Sequence, residues 1–577
     1  MKLMTPSRAA EDRYKWAVLS NTTLGVFMAL LDSSIVIISL PAIFRGIHLD
    51  PLQPANIGYL LWMLMGYLVV TAVLVVTFGR LGDIFGRVRM YNAGFFVFTL
   101  GSALLALTPM NGAAGALWLI GWRIVQGIGG ALLMANSAAI LTDAFPPNER
   151  GMALGVNMVA GIAGSFVGLI AGGLLADVHW RLIFWINVPF GLFGTVWAYR
   201  KLHEVARREA ARIDWLGNLT FALGLIALLV GITYGIQPYG GHTMGWTSPF
   251  VLACLIGGVA LLYAFFEIER RVQDPMFDFD LFKIRSFTAG NFAGLLGAIS
   301  RGGLQFMLII WLQGIWLPLH GYSFEKTPLW AGIYMLPMTA GFLISGPVAG
   351  WLSDRYGARL FATGGMLLSA LSFGFLMLLP ANFGFLAFAF LLLLMGLSAG
   401  MFAAPNTAAI MNAAPAKQRG EASGMRATFA NSGTVLSIGV FFSLLILGLA
   451  ATLPHTLSSG LTSNGVPAPV AQQISHLPPV GTLFAAFLGY NPMKTLLGPQ
   501  VLTSLPAAKA AYLTGPHFFP SLISSAFMHG LRIAFAIALL MSLIAAWFSW
   551  MRDDRYVHDE FTVAMPDEIE PVDVAQL

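Results

Sequence analysis

Apolar runs of about 20 residues recur along the chain almost from end to end, and they limit its fold more than any other feature. A helix of about 20 apolar residues crosses a hydrocarbon core of about 30 Å. Charged residues are 10% of the 577 residues, whereas they are about 25% of an ordinary soluble domain. The sequence therefore predicts an all-α polytopic membrane protein whose main partner is the lipid bilayer.

The apolar runs predict fourteen membrane spans. Their approximate bounds are 16–43, 57–79, 90–108, 115–142, 151–176, 182–199, 215–236, 247–268, 287–314, 328–351, 360–380, 384–412, 422–452 and 526–550. The first run is too long for the core of a signal peptide and has no small-residue cleavage site, so we expect it to be a true span.

The basic residues give these spans an orientation. If the N-terminus is cytoplasmic, most of the 32 Lys and Arg residues fall on the cytoplasmic side, as the positive-inside rule requires. The outer segments then hold Arg45, Arg181, Lys326, Lys494 and Lys509. We expect both termini to lie in the cytoplasm at a bacterial inner membrane. The net charge of +5 serves this topology and does not indicate nucleic-acid binding.

The chain also repeats itself. The stretches GRLGDIFG (79–86) and GWLSDRYG (350–357) correspond, as do ERGMALG (149–155) and QRGEASG (418–424). Six spans therefore recur as six spans, which predicts an N-terminal bundle at 1–200, two inserted helices at 201–286 and a C-terminal bundle at 287–551. Parallel repeats with a substrate site between them are typical of secondary transporters.

Two segments lie outside this repeat. The outer segment 453–525 is rich in Pro, Gly, Ser and Thr, and its apolar part VGTLFAAFLGY (480–490) is too short to span. Two interpretations stay open for it: a flexible external loop, or an ordered cap on the membrane surface or on the exit of a pathway. The mostly acidic tail 552–577 has the composition of a disordered segment.

The repeated loop carries a recognisable motif. Its glycines allow two helix ends to approach closely, and Asp83 can pair with Arg87. At these positions the chain resembles the major facilitator superfamily, in which the motif stabilises the outward-facing state. The resemblance implies a conformational role for Gly79, Asp83, Gly86, Arg87, Asp354 and Gly357.

Three further stretches resemble the fourteen-span drug:proton antiporter branch of that superfamily. They are LDSSIVIISLP (31–41), RIVQGIGGALL (123–133) and WRLIFWINVPFG (180–191). The resemblance implies the major facilitator fold, two six-helix bundles plus two inserted helices, and export of small lipophilic substrates by alternating access. It also implies a proton gradient as the energy source, with no cofactor, and a protein that functions as a monomer.

The fifth span departs from the branch. GSFVGLIAGG (164–173) has Leu169 where the branch has a proline. Glycines four residues apart line one helix face and permit close packing, so we expect this of Gly164, Gly168, Gly172 and Gly173. The bend that the proline would introduce is not expected, which weakens the case for proton-coupled export.

Asp32 is the only acidic residue placed well inside a predicted span. A charge at the bilayer centre is costly, so such residues face a cavity or a partner. Two interpretations stay open. Asp32 could exchange a proton in each transport cycle, or it could belong to a permanently ionised structural pair.

Two arginines are candidate partners. Arg123 resembles the residue implicated in proton coupling in the superfamily, with Gln126 one turn along the same helix face; alternatively it bonds backbone carbonyls of neighbouring helices. Arg301 lies level with Asp32 in the repeat. We hypothesise that Asp32 and Arg301 project into one central cavity, where they pair or bind opposite ends of an amphiphile.

The stretch after Arg301 adds Gln305, Trp311 and Gln313 as candidate cavity residues. Apolar surface with a few polar groups is typical of ligand pockets. An aromatic residue in a membrane helix is also often packed or lipid-facing, and for Trp311 both interpretations stay open.

Other function classes fit less well. A primary pump would need a G-x-x-x-x-G-K-[ST] loop, which the sequence lacks, and there is no H-E-x-x-H zinc motif. The single cysteine, Cys254, excludes an intramolecular disulfide and a cysteine metal cluster, and no metal site is expected. The favoured function is proton-coupled efflux. The alternatives are export of a lipid or amphipathic organic anion and, more remotely, a membrane-embedded enzyme.

Overall fold

The computed structural model describes residues 8–50, 53–146, 149–204, 214–242, 244–272, 277–415, 418–489 and 491–552. These residues form helices and connecting turns. Fourteen of the helices are long and apolar enough to cross a membrane, which confirms the predicted all-α polytopic fold.

The helices of the first half and of the insertion are regular. Their bounds are α1 Arg8–Gly46, α2 Pro54–Phe85, α3 Arg87–Ala106, α4 Gly112–Ala144, α5 Arg150–Val178, α6 Leu182–Trp185 continued by Asn187–Lys201, α7 Trp215–Gly235 and α8 Pro249–Glu269.

The second half has more interruptions. Helix α9 runs from Arg285–Gly302 through Leu304–Trp311 and a π-helical turn, Leu312–Trp316, to Leu317–Leu319. The next four long helices are α10 Thr327–Tyr334 continued by Leu336–Tyr356, α11 Ala358–Leu378, α12 Phe385–Ala413 and α13 Arg419–Ser463. Four short helices follow, α14 Ala468–Ser475, α15 Pro479–Phe487, α16 Met493–Ser504 and α17 Ala507–Thr514, and the last long helix is α18 Phe518–Trp550.

Helices α1–α6 form one six-helix half, and α9–α13 with α18 form the other. The inserted helices α7 and α8 pack on each other and, through α7, against α2 and α13. Thr233 on α7, for example, donates a hydrogen bond to the sulfur of Met65 on α2 at 3.2 Å. The two inserted helices therefore sit beside the seam between the halves and leave the six-helix repeats intact.

The repeated loop has the same backbone conformation in both halves. Gly86 joins α2 to α3 with φ 109°, and Gly357 joins α10 to α11 with φ 90°. Such positive φ values are accessible to glycine at no steric cost. The sequence repeat is thus also a structural repeat, and we call the side of the bundle that carries these loops, predicted to be cytoplasmic, the inner face.

The described part of the outer segment is ordered. Because α13 continues to Ser463 and α18 begins at Phe518, the connection is shorter than the predicted 453–525, and it contains the four short helices α14–α17. Every residue of α15 is buried, because this apolar helix packs on α2, α13, α18 and the π-helical turn of α9. The interpretation of a flexible loop is therefore wrong for the described part of this segment.

The tail begins differently from the prediction. Arg552, assigned from the sequence to a disordered tail, is 1% exposed and donates a hydrogen bond to Asn406 Oδ1 at 2.6 Å. Arg552 therefore packs against α12 of the second half. Composition alone does not reveal this contact. Residues 553–577 lie outside the described residues.

The two halves are joined at the outer face. Arg45 donates a hydrogen bond to the carbonyl of Leu488 at 3.2 Å, and Gln313 donates one to the carbonyl of Ile38, also at 3.2 Å. Among the described residues, these are the hydrogen bonds that link the first half to the outer segment and to the second half. The outer face is therefore closed in this structure.

Candidate functional site

Asp32 lies at mid-depth in α1 and has no exposed surface. Its Oδ2 forms an ion pair with Arg123 of α4. Its Oδ1 accepts hydrogen bonds from Gln126 Nε2 at 2.9 Å and from Asn187 Nδ2, on α6, at 2.7 Å. Three donors from two helices thus compensate for the loss of water around the carboxylate.

The donors are themselves held in place. Gln126 Nε2 also donates to Ser102 Oγ of α3 at 2.7 Å, and its Oε1 accepts from Arg123 Nη1 at 2.6 Å. The Arg123 guanidinium lies 4.4 Å from the centroid of the Tyr67 ring on α2, a cation–π distance. We call Asp32, Arg123, Gln126, Asn187, Ser102 and Tyr67 the Asp32 network.

Three members of this network were not predicted from the sequence. Asn187 lies within WRLIFWINVPFG, a stretch that resembles the antiporter branch, so that resemblance was an available signal. Ser102 and Tyr67 carry no such signal, because a serine or a tyrosine in an apolar span is common. Only helix packing brings them to Gln126 and Arg123.

Arg301 does not pair with Asp32, contrary to the hypothesis drawn from the repeat. Its Nε donates to the carbonyl of Gly297 at 3.2 Å, and its guanidinium lies 5.2 Å from the centroid of the Phe402 ring on α12. The physical reason is helix packing: α4 packs directly on α1 within the first half, whereas Arg301 turns towards α12 of its own half. Arg123 therefore takes the place proposed for Arg301.

The other candidates on α9 differ in their surroundings. Gln305 is half-buried one turn beyond Arg301, and Gln313 is buried at the contact between the halves. Trp311 is fully buried, packs edge-on to Phe383 and Phe388 and donates to the carbonyl of Ala381 at 3.3 Å. The structure therefore shows Trp311 as a packed core residue.

The repeated loop forms a charge cluster at the inner face of the first half. Arg87 pairs with Asp83 at 2.8 Å and with Asp143, at the end of α4, at 2.6 Å. The backbone N–H of Arg89 donates to Glu204 at 3.0 Å. These contacts connect α2, α3, α4 and the segment after α6. In the second half, Gly79 and Gly86 are matched by Gly350 and Gly357, and Asp354 lies in α10.

The glycines of α5 allow close packing, as predicted. A Cβ on Gly168 would lie 2.5 Å from the carbonyl oxygen of Leu31. Gly164 and Gly172 face α1 in the same way, whereas Gly173 faces Leu329 of α10, in the other half. The position where the branch has proline also lies at this contact, because the carbonyl oxygen of Leu169 faces Gly332.

Two homologous helical halves, closed at the outer face and enclosing charged residues at mid-depth, define a secondary transporter. A family model supports this class directly: the model for the Major Facilitator Superfamily matches residues 22–216 and 210–438. The chain belongs to the major facilitator superfamily. It is a transporter and not an enzyme.

Curated relatives place the chain in the drug-export branch of this superfamily. The riboflavin transporter RibZ of Clostridioides difficile is 30% identical over 78% of this chain and 93% of its own length. The tetracenomycin C resistance and export protein of Streptomyces glaucescens is 28% identical over 94% and 92%. The multidrug resistance protein Stp of Mycobacterium tuberculosis is 30% identical over 80% and 81%.

Solved structures agree on the fold. A bacterial homologue of the human lysosomal transporter Spinster, in an inward-facing and unoccupied conformation, aligns with TM-score 0.56 at 14% identity over 93% of this chain and 96% of that one. A peptide transporter of the POT family, bound to sulfate, aligns with TM-score 0.54 at 16% identity over 88% and 99%.

Proposed function

We propose that the protein exports lipophilic or amphipathic compounds from the bacterial cytoplasm in exchange for protons, with both termini in the cytoplasm. The relatives named as resistance and export proteins support the direction and the substrate class. Because the pathway runs between two halves of one chain, one copy is sufficient, and we expect a functional monomer.

The single observation that carries proton coupling is the pairing of Asp32 with Arg123 at mid-depth. Buried ion pairs are strongly destabilised when one partner loses its charge, because the other charge is then unpaired. Protonation of Asp32 therefore changes the energy of the whole network. That sensitivity is what a coupling site requires.

Arg123 has a second set of contacts if Asp32 is protonated. It keeps the hydrogen bond to Gln126 Oε1 and the face of the Tyr67 ring. The guanidinium is therefore never left without a partner in the membrane interior. A network in which Arg123 keeps two contacts after Asp32 is neutralised fits a switch between two conformations better than a rigid structural pair does.

The closed outer face indicates which step of the cycle this arrangement represents. Because contacts at Gln313 and Arg45 close the outer face, we propose that substrate enters from the inner face in this state. The ionised Asp32–Arg123 pair then corresponds to a transporter that has released its proton and is ready to take up substrate. Binding of a proton after opening to the outside would complete the exchange.

Transport in proteoliposomes tests the coupling. A proton gradient should drive export of a lipophilic dye by the wild type but not by Asp32→Asn, which keeps the size of the side chain and removes the exchangeable proton. Glu267→Gln is the matched control, because Glu267 forms exposed ion pairs with Arg270 and Arg271 at the end of α8. Gradient-driven export that survives in Asp32→Asn would refute the proposal.

Export of an amphipathic organic anion or a lipid is the second candidate. The observation that favours it is Arg301, a cation at mid-depth whose Nη1 has no hydrogen-bond partner in the part of the chain that the structure describes. The names of the relatives do not favour it, because one of them is a resistance protein for methyl viologen, which is a cation. We therefore expect Arg301 to influence which charged class of substrate the protein selects.

A further inference from the structure

We propose that Arg301 forms an anion-binding subsite, so that the preferred substrates carry one acidic group on an apolar body. This inference rests on the proposed export function and specifies its substrate class. The chemistry that would be recognised is a carboxylate or a phosphate joined to a flat or aliphatic group.

The charged groups at mid-depth are not balanced. Asp32 is neutralised by Arg123 and hydrogen-bonded by Gln126 and Asn187. No carboxylate among the described residues lies within ion-pair distance of Arg301. The middle of the bundle therefore has an excess positive charge, which attracts an anion and disfavours a cation.

The N–H donors of Arg301 also favour an anion. A guanidinium has five N–H donors in a planar fork that matches the two oxygens of a carboxylate or phosphate. Among the described residues, only Nε has a hydrogen-bond partner, the carbonyl of Gly297, and Nη1 is buried without one. A buried donor is normally satisfied, so this side chain is short of an acceptor that a bound anion would supply.

The surroundings of Arg301 form a small apolar wall. Phe402 presents its ring to the guanidinium, and the methyl group of Met366 lies 3.5 Å from the position that a Cβ on Gly297 would occupy. The same Cβ would lie 3.3 Å from Arg301 Nη2, so glycine leaves room beside the donors. Apolar surface next to one charged fork suits an amphipathic anion.

The orientation of Arg301 agrees with uptake from the inner face. Its Nε bonds Gly297, which is one turn nearer the inner end of α9 than Arg301 itself. The side chain is partly exposed, although the outer face is closed. Arg426 lies near the inner end of α13, and its buried Nε has no hydrogen-bond partner among the described residues. A second cation therefore lies nearer the inner face than Arg301.

Matched fluorescent probes test the proposal with the full-length protein in nanodiscs. The probes are dansyl-undecanoic acid, its methyl ester and the dansyl-undecyl trimethylammonium cation. We expect the wild type to bind the acid most tightly. Arg301→Gln should weaken binding of the acid about tenfold, as expected for losing a charge-assisted hydrogen bond, and change the ester and the cation less than about twofold.

Two further variants show whether a change in binding of the acid is specific to the charge of Arg301. Arg532→Gln is the matched control, because Arg532 also donates from Nε to a backbone carbonyl, that of Met377, but is exposed. Arg301→Lys keeps the charge and should retain part of the preference for the acid, which a purely structural role would not predict.

The contrary outcomes are distinct. If Arg301→Gln leaves binding of the acid unchanged, or weakens all three probes equally, the subsite proposal is wrong. Gradient-driven export of the cation by the same protein in proteoliposomes would then leave the proposed export function intact. If the wild type exports none of the three probes under a proton gradient, the proposed function fails, whatever the binding data show.

Discussion

The two halves of the transporter share a backbone but differ in their buried charge. The first half encloses Asp32 within a complete set of donors. The second half places Arg301 at the corresponding depth with a carbonyl and an aromatic ring as its contacts. Duplication has therefore preserved the helix arrangement while the polar groups have diverged.

The repeat also shows why the second half cannot neutralise its charge in the same way. Asn136 and Asn406 occupy matching places on α4 and α12, and counting from them puts Leu393 and Gly396 where the first half has Arg123 and Gln126. Gly396 packs against the backbone of Met338 on α10, so its position has no room for a glutamine. Close packing has replaced a polar network there.

This difference suggests a division of labour between the halves. On our proposals, the first half handles the proton through Asp32, and the second half handles the acidic group of the substrate through Arg301. The following predictions test whether the two roles are separable, beginning with the largest expected effect.

Breaking the Asp32 network should cause the largest loss of stability and of export. Arg123→Ala leaves Asp32 without its ion pair, and losing one partner of a buried pair typically costs about 3–5 kcal/mol. We expect a large drop in thermal stability, measured by differential scanning fluorimetry in detergent, together with loss of export.

A double variant separates stability from coupling in that experiment. Asp32→Asn combined with Arg123→Gln removes both charges and should recover most of the stability without recovering gradient-driven export. Recovery of both properties together would show that the network is only structural.

Reversing the charge of the second half should change selectivity. Arg301→Glu places a carboxylate beside Phe402, so the preference for the acidic probe should become a preference for the cationic one, with a change in relative affinity of about tenfold or more. Competition binding with the two probes measures this ratio. The Asp32 network is separate from this side chain, so a gradient should still drive export of the cation.

A substitution that disfavours closure of the outer face should have an intermediate effect on the accessibility of that face. In Gly332→Val the new Cβ would lie 2.9 Å from the carbonyl oxygen of Leu169, and such overpacking costs about 1–3 kcal/mol. A membrane-impermeant maleimide should therefore label a cysteine introduced at Gln313 severalfold faster, in a Cys254→Ser background.

The control for this effect is Gly121→Val. A Cβ on Gly121 meets no atom within 4 Å, so the labelling rate should remain that of the parent. Equal rates in the two variants would mean that contact between α5 and α10 does not limit opening.

The smallest effect on stability is expected for Arg552, at the inner end of the second half. Burial lowers the pKa of Arg552 to about 10, below its ordinary value of 12.5. Since both folded and unfolded forms are then protonated at neutral pH, this group adds no pH dependence to stability between about pH 7 and 9.

Stability should rise only above the folded pKa, as the folded protein releases the proton first. Arg552→Gln keeps a donor for Asn406 and should shift the melting temperature by only a few degrees, as about 1 kcal/mol would. A steep change of stability between pH 7 and 9 that disappears in Arg552→Gln would contradict this assignment.

Local patterns were sufficient for most of the fold. The fourteen spans follow from apolar length, because lipid leaves the backbone of a span no partner but its own helix. The turns at Gly86 and Gly357 follow from the repeat, since glycine adopts their positive φ most readily. The ordered α15 was harder to predict, because it is shorter than a span and is stabilised only by burial against four other elements.

The chemistry of the site could be predicted only in part from the sequence. The sequence by itself determined that Asp32 and Arg301 lie at the same depth and that Arg123 lies within a span, because hydropathy and the repeat fix position along a helix axis. It did not determine which of them meet, since a contact between helices depends on their rotation and on which neighbour packs closest. Tertiary structure alone paired Asp32 with Arg123, added Asn187, Ser102 and Tyr67, and left Arg301 facing Phe402 without a carboxylate.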